Sequence, residues 1–237
     1  MDKQILQLEE LIDASKYTVV ITGAGISNSV GIKDMERMNV PEVMQTSIEA
    51  MVRVRPEHSY KLLQKGFLRA MFETGPSITH KKLADFEKQG LVQGIITTNI
   101  DCLHTFAGSK NVAELQGSYG INKCIKCEQH YDDVQIWNKG KAPRCQKCNG
   151  VIVSFPVYTH VGLSNEASQK ASKWMSQAEL VIVVGSKGNY GGYLSSINSK
   201  AKVVQINPKS TQFDRVACIN IRKEADEVFG LLKGELL

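Results

Sequence analysis

The sequence predicts an α/β protein, a doubly wound parallel sheet of the Rossmann-like kind with a smaller inserted domain of zinc-ribbon and helical character. Three observations carry this. The runs Tyr17–Ile21, Gly94–Thr98, Leu180–Val184 and Lys202–Ile206 are short, β-branched and nearly continuous in apolar residues, as strands covered on both faces must be. Stretches of helical period alternate with them. Between the second and third runs lies a polar stretch of little periodicity, 118–150, that carries two Cys-x-x-Cys pairs.

The elements follow in order. Residues 3–15 place Ile5, Leu8, Leu11 and Ile12 on one helical face. The first strand runs into Thr22-Gly23-Ala24-Gly25-Ile26-Ser27. A glycine turn after a buried strand is how doubly wound folds cradle phosphate, with close backbone approach and N–H groups aimed at the anion. The third glycine of G-x-G-x-x-G is missing, so this is no ordinary dehydrogenase fingerprint. Taken alone, the turn fits a packing role equally well. Met35–Pro41 reads as a loop. Pro56 suits the first turn of a helix with Tyr60, Leu63, Phe67 and Met71 on one face, stopped near Gly75-Pro76. Another helix covers His80–Lys88, with Leu83 and Phe86 inward and Gly90 as its stop. Further helices are expected at 166–178, around 191–199 and at 224–233.

The chain has 237 residues, 42% of them hydrophobic, and a net charge of +5 carried by scattered basic residues. Such a mild charge reads as a solvated surface, and no direct nucleic-acid binding is expected. No apolar run approaches the roughly 18 residues that span a membrane. The charged opening Met1-Asp2-Lys3-Gln4 leads us to expect no secretory signal and a cytoplasmic location. In that compartment the six cysteines point to metal before disulfides. Cys124/Cys127 and Cys145/Cys148 are two knuckles separated by 17 residues. Two such pairs can converge four thiolates on a tetrahedral zinc with no open position, so the site is structural. The alternative is four unligated surface thiols. Lys123, Lys126, Arg144 and Lys147 flank the knuckles and would soften the negative charge. Cys102 and Cys218 read as small core residues.

The second strand ends in Thr98-Asn99-Ile100-Asp101. Ligands in open parallel sheets sit beyond the carboxyl ends of strands. Asn99 offers a donor and an acceptor there, and Asp101 offers acceptors; turn formation is the plainer explanation for both. Gly185-Ser186 and Asn207 repeat the pattern at two further strand ends. Four polar strand ends on one sheet edge point to a ligand crevice.

These segments together resemble the sirtuin family of NAD-consuming enzymes, over nearly the whole chain and in the right order. Thr22–Ser27 with Gly31-Ile32-Lys33-Asp34 is similar to the first NAD segment. His80-x-x-Leu83, Thr98–Asp101 and Leu103-His104-x-x-Ala107-Gly108 are similar to the second. Glu114-Leu115-Gln116-Gly117-Ser118 resembles the approach to the zinc knuckles, and Val183–Ser186 and Ile206-Asn207 the remainder. The resemblance implies a single sirtuin-type catalytic domain, in which 1–34, 76–117 and 156–237 bind NAD while 35–75 with 118–155 form the smaller zinc-bearing part. It implies that Gly23, Ala24, Gly25 and Ser27 hold phosphates and that Asp34 and Thr98 belong to the cofactor site. Asn99 and Asp101 would serve the nicotinamide side, and Gly185, Ser186 and Asn207 the adenosine side. The implied activity is NAD-dependent lysine deacylation with release of nicotinamide. The implied partner is a protein substrate, carrying acyl-lysine or another acceptor of ADP-ribose.

The chain departs from the family pattern at the chemistry. The basic histidine falls on Gln116, which cannot take up a proton near neutral pH, and His104 matches a different family histidine. Asp-Phe-Arg becomes Asp34-Met35-Glu36, with Arg37 next to it. The run Val153–His160 replaces the segment that shapes the acyl-lysine tunnel. Weak or altered deacylation is therefore expected. Mono-ADP-ribosyl transfer and a catalytically silent NAD or ADP-ribose sensor are the alternatives.

Overall fold

The structure is a computed structural model that describes residues 3–32, 39–155, 158, 162–188 and 196–233. It opens on α1 (Lys3–Ala14), which buries Ile5, Leu8 and Ile12, and β1 (Thr18–Thr22), followed by a tight helical turn over Ala24–Val30. Next come α2 (Val40–Ser47), α3 (Glu49–Val54), α4 (Pro56–Lys65) and the short α5 (Phe67–Arg69). Then follow α6 (Ile78–Lys88), β2 (Gly94–Thr97), α7 (Leu103–Phe106) and β3 (Val112–Glu114). The chain continues through β4 (Ser118–Cys124), β5 (His130–Tyr131), β6 (Ile152–Phe155) and α8 (Asn165–Gln177). It closes with β7 (Leu180–Val184), β8 (Lys202–Ile206), β9 (Ile219–Ile221) and α9 (Ala225–Leu231).

The large sheet has the order β3-β2-β1-β7-β8-β9, with every neighbouring pair parallel. From β1 the chain steps outward through β2 to β3, and from β7 outward through β8 to β9. The switch point is therefore the β1/β7 boundary. Thr22 stands beside Thr97 on one side and Val184 on the other, and Val184 beside Ile206. The carboxyl ends of β2, β1, β7 and β8 thus lie level on one edge. Side chains alternate between the faces. Val20, Ile95, Ile182 and Val204 pack under Ile5, Leu8, Phe86 and Phe229. Val19, Ile96, Val181 and Val183 pack under Trp174, Met175 and Phe213.

A second, antiparallel sheet has the order β5-β4-β6. It shares a separate apolar cluster with Tyr60, Leu63 and Met71 around Tyr119 and Trp137. The Trp137 indole donates to Asn122 Oδ1 at 2.8 Å, and the Tyr60 hydroxyl to the Trp137 carbonyl at 3.1 Å.

Several expectations need correction. The loop expected over Met35–Pro41 ends early, because α2 begins at Val40. Asn39 Oδ1 accepts the Glu42 N–H at 2.9 Å, and Pro41 fits the first turn, where its missing N–H costs nothing. The single helix expected from Pro56 to Gly75 breaks at Gly66, whose φ of −132° leaves the helical range. Residues 70–74 then form a wider helical turn. The helix expected around 191–199 falls largely outside the described residues. So do Asp34 with Met35, Glu36 and Arg37, and Pro156, Val157, Thr159 and His160. Among the described residues no helix is long and apolar enough to cross a membrane.

Candidate functional site

A cleft of about 930 Å³ opens along the carboxyl edge of the large sheet, within the usual size range of small-molecule sites. Gly23, Ala24, Gly25, Ser27, Thr98, Asn99, Asp101, Gln116, Gly185, Ser186 and Asn207 all line it. The sheet register explains why residues so far apart in sequence meet here.

The glycine turn is packed against the end of β7. A Cβ on Gly25 would stand 2.7 Å from Gly185 Cα, and one on Gly23 would stand 2.8 Å from Ser186 Cα. Gly185 itself has a φ of +61° and faces the Gly25–Ile26 backbone. The Gly23 and Gly25 N–H groups donate to the Val184 and Gly185 carbonyls at 3.2 and 3.0 Å. These two glycines therefore serve close approach, and their N–H groups are engaged within the protein rather than aimed into the cleft as expected.

The floor is a chain of buried hydrogen bonds. Asn99 Nδ2 donates to the Gly23 carbonyl and to Ser27 Oγ, both at 3.2 Å, while the Asn99 N–H donates to Thr97 Oγ1 at 3.0 Å. Ser27 Oγ donates to Asp101 Oδ2 at 2.8 Å, and Asp101 Oδ1 accepts the Leu103 N–H at 3.0 Å. Burial raises the Asp101 carboxyl above its usual range, opposed by the bonds from Leu103 and Ser27. Cys102, at φ 57°, makes the reversal into α7.

Behind this floor two histidine rings meet at an angle of 55°, with centroids 4.7 Å apart. His104 Nε2 and Thr22 Oγ1 share a hydrogen bond of 2.9 Å, as do His80 Nδ1 and Ser77 Oγ. Burial holds both imidazoles neutral, His80 pushed down to about 3 and His104 well below its ordinary value. Neither is among the cleft-lining residues. Gln116 is, held in the turn between β3 and β4. There Leu115 N–H donates to Thr97 at 2.9 Å, and Gly117, at φ 70°, donates to Glu114 at 3.0 Å. At the start of that turn, burial pushes the Glu114 carboxyl up to about 7, with Asp101 adding to the rise and Ser118 and Lys170 opposing it.

The cleft also takes in Phe67, Arg69, Tyr119 and Lys209, which the sequence reading did not assign to a site. Phe67 and Tyr119 lie 5.0 Å apart between centroids. Helical period had already put Phe67 on an apolar face, but only the packing of α5 on β4 shows that this face borders the cleft.

The thiol atoms of Cys124, Cys127, Cys145 and Cys148 all lie within 4.8 Å of one another. The pairs Cys124/Cys148 and Cys127/Cys145 are each 3.5 Å apart. Glu128 and Asn149 follow the knuckles with φ of 58° and 56°, and the Lys126 N–H donates to Cys124 Sγ at 3.4 Å. A Cβ on Gly150 would sit 2.7 Å from that sulfur. Four converging thiols suit a tetrahedral structural zinc. Cys102 is buried as expected; Cys218 is exposed, because it enters β9 at the sheet edge, where its thiol donates to the Val203 carbonyl at 3.2 Å.

A doubly wound sheet with its cleft at the switch point and a four-cysteine ribbon beside it defines a nucleotide-binding class of protein. The model of the Sir2 family matches residues 23–189. An NAD-dependent protein deacetylase of Thermotoga maritima is 32% identical over 92% of this chain and 92% of its own. An NAD-dependent protein deacetylase of Pyrobaculum aerophilum is 34% identical over 97% and 94%. Among solved structures, a sirtuin studied for substrate affinity superposes with a TM-score of 0.84 at 30% identity, covering 97% of each chain. A Sir2 with p53 peptide and NAD+ superposes with 0.80 at 31% identity, covering 97% and 96%. The chain belongs to the Sir2 family.

Proposed function

We propose that the protein is an NAD-dependent protein lysine deacylase whose reaction is slowed by Gln116. The observation that carries this is the convergence of the strand-end residues on one cleft at the switch point. Relatives named as NAD-dependent deacetylases and a deacylase favour this over ADP-ribosyl transfer or a silent sensor. Sir2 structures solved with acetylated or propionylated peptide favour a protein partner.

The residues present fit NAD. The turn Gly23–Gly25, seated on the end of β7, would place the phosphates beside Ala24, Ser27 and Thr98, with Asp34 in the same segment. Gly185, Ser186 and Asn207 would hold the adenosine half. Bound NAD supplies a ribose carbon made electrophilic by loss of nicotinamide. Asn99, fixed by its bonds to Gly23 and Ser27, would orient the nicotinamide half, and Asp101 would act beside it. Gln116 would hydrogen-bond a hydroxyl without accepting its proton. The four cysteines would hold zinc away from the chemistry. We divide the chain into a cofactor-binding part (1–34, 76–117 and 156–237) and a smaller part (35–75 and 118–155), joined by an apolar cluster in which Val30, Ile32, Cys102 and Leu103 of the first pack with Tyr60, Leu63 and Trp137 of the second. We place the protein in the cytoplasm, a reducing compartment in which thiols stay available as zinc ligands.

Asn99→Ala tests the reading. Nicotinamide release in the presence of an acetyl-lysine peptide should fall by about 10² or more, in a variant that still folds but melts lower for the loss of two buried hydrogen bonds. Wild-type turnover in the folded variant would remove Asn99 from the site.

A further inference from the structure

The rim of the cleft below β8 is the segment Asn207-Pro208-Lys209. It is short and leaves the sheet at once, and Pro208, though it restricts the local φ, offers no N–H to tie the segment down. Two side-chain bonds of Asn207 help: Nδ2 donates to the Ser186 carbonyl at 3.4 Å, and Oδ1 accepts the Lys209 N–H at 3.1 Å. The rest comes from outside the cleft. Arg222, the residue after β9, donates from Nη1 to the Asn207 and Lys209 carbonyls at 3.5 and 3.2 Å. Its Nη2 donates to Asp214 Oδ2 at 2.7 Å. Asp214 also accepts from Gln205, a fully buried amide in β8, and from the Thr211 N–H at 3.1 Å. Gln205 accepts from the Thr211 hydroxyl and donates to Asn220. These bonds, with that from Arg222, hold the Asp214 carboxyl well below the usual carboxylate range.

We propose that Arg222, clamped by Asp214, is a positioning residue for the adenosine half of the dinucleotide: it fixes the cleft rim Asn207–Lys209 before the ligand arrives. The proposal rests on the NAD reading of this cleft. Its physical basis is pre-organisation. A rim already held in one conformation loses less entropy on binding, so the ligand binds more tightly with no added contact. The planar guanidinium matters, because one fork spans two carbonyls and a carboxylate, which a single ammonium on a flexible stem cannot hold in one geometry.

The test compares wild type with Arg222→Met and Arg222→Lys. Calorimetric titration with ADP-ribose reads the adenosine side without turnover, and steady-state assay with an acetyl-lysine peptide gives KM for NAD and kcat. Both variants should raise the ADP-ribose Kd and the NAD KM by about tenfold, the scale of a lost hydrogen bond to a charged group. Their kcat should stay within about twofold, because the rim touches no reacting atom. Unchanged Kd and KM in a folded Arg222→Met would overturn the proposal, even with a lowered melting temperature, since that is the mark of a purely structural pair. Arg222→Lys matching wild type would overturn the fork argument. Wild-type protein that binds no ADP-ribose would instead overturn the NAD reading on which the proposal rests.

Discussion

A glutamine amide at position 116 has donors and an acceptor but takes up no proton near neutral pH. The histidines nearby offer no rescue, since His80 and His104 do not line the cleft and burial makes both poor proton acceptors. A general base supplies ~10²–10⁴-fold in rate. Gln116→His should therefore raise peptide deacylation by a factor of that order while leaving the NAD KM within about threefold, as measured at saturating peptide. A wild type as fast as the variant would show that this position does not limit the chemistry. Glu114 gives a pH signature. Its folded pKa, about 7, lies above the ordinary value of 4.5, so between these two the folded state holds a proton there that the unfolded state has already lost. Its contribution to stability is full below about 4.5 and is lost as pH rises through about 7. Glu114→Gln should thus gain stability relative to wild type between pH 5 and pH 8, by up to about 3 kcal/mol in denaturant titrations. A difference that is flat with pH would contradict the raised pKa. The identity of Gln116 was plain in the sequence. The state of Glu114 was not, because it follows from how the fold buries the end of β3 and brings Asp101 near it.

At the scale of elements, the strands buried on both faces were the most legible. Leu180–Val184 and Lys202–Ile206 were read to the residue, and β1 to within one. Such strands are long apolar runs and need no partner to be recognised. The three-residue edge strands β3 and β9 and the small sheet β5-β4-β6 were not read, since pairing rather than composition makes them strands. The knuckles were legible because Cys-x-x-Cys spacing reflects local geometry, here closed by Glu128 and Asn149 at positive φ. Because ligand binding in such sites is folding energy, Cys148→Ser should lose the single zinc. It should also expose the β4 and β6 amides to hydrogen exchange while leaving β1, β7 and β8 protected. Metal analysis and exchange mass spectrometry decide it; full zinc in the variant, or exchange spread evenly over both sheets, would contradict a structural role confined to the ribbon. The Gly25/Gly185 contact belongs to this scale as well. Gly25→Ala places a methyl 2.7 Å from backbone, which cannot rotate away. We expect a loss of about 1–3 kcal/mol in stability and weakened ADP-ribose binding.

At the scale of the molecule, the cleft exists because strand order reverses at β1/β7 and brings four polar strand ends level. The alternation of elements predicted such an edge, and the motifs predicted which residues would stand on it. The cleft's other wall, with Phe67, Arg69 and Tyr119, required the packing of the helical segment 56–74 against β4, which no local pattern encodes. On the proposed reading, this cleft couples breakage of NAD to removal of an acyl group from lysine. The most direct measurement is simultaneous quantification of nicotinamide and deacylated peptide, made with purified zinc-loaded protein, saturating NAD and an acetyl-lysine peptide. We predict slow turnover with one nicotinamide released for each lysine freed, and no deacylation without NAD. Intact NAD beside an unchanged peptide, or nicotinamide released while the acyl group stays in place, would contradict it.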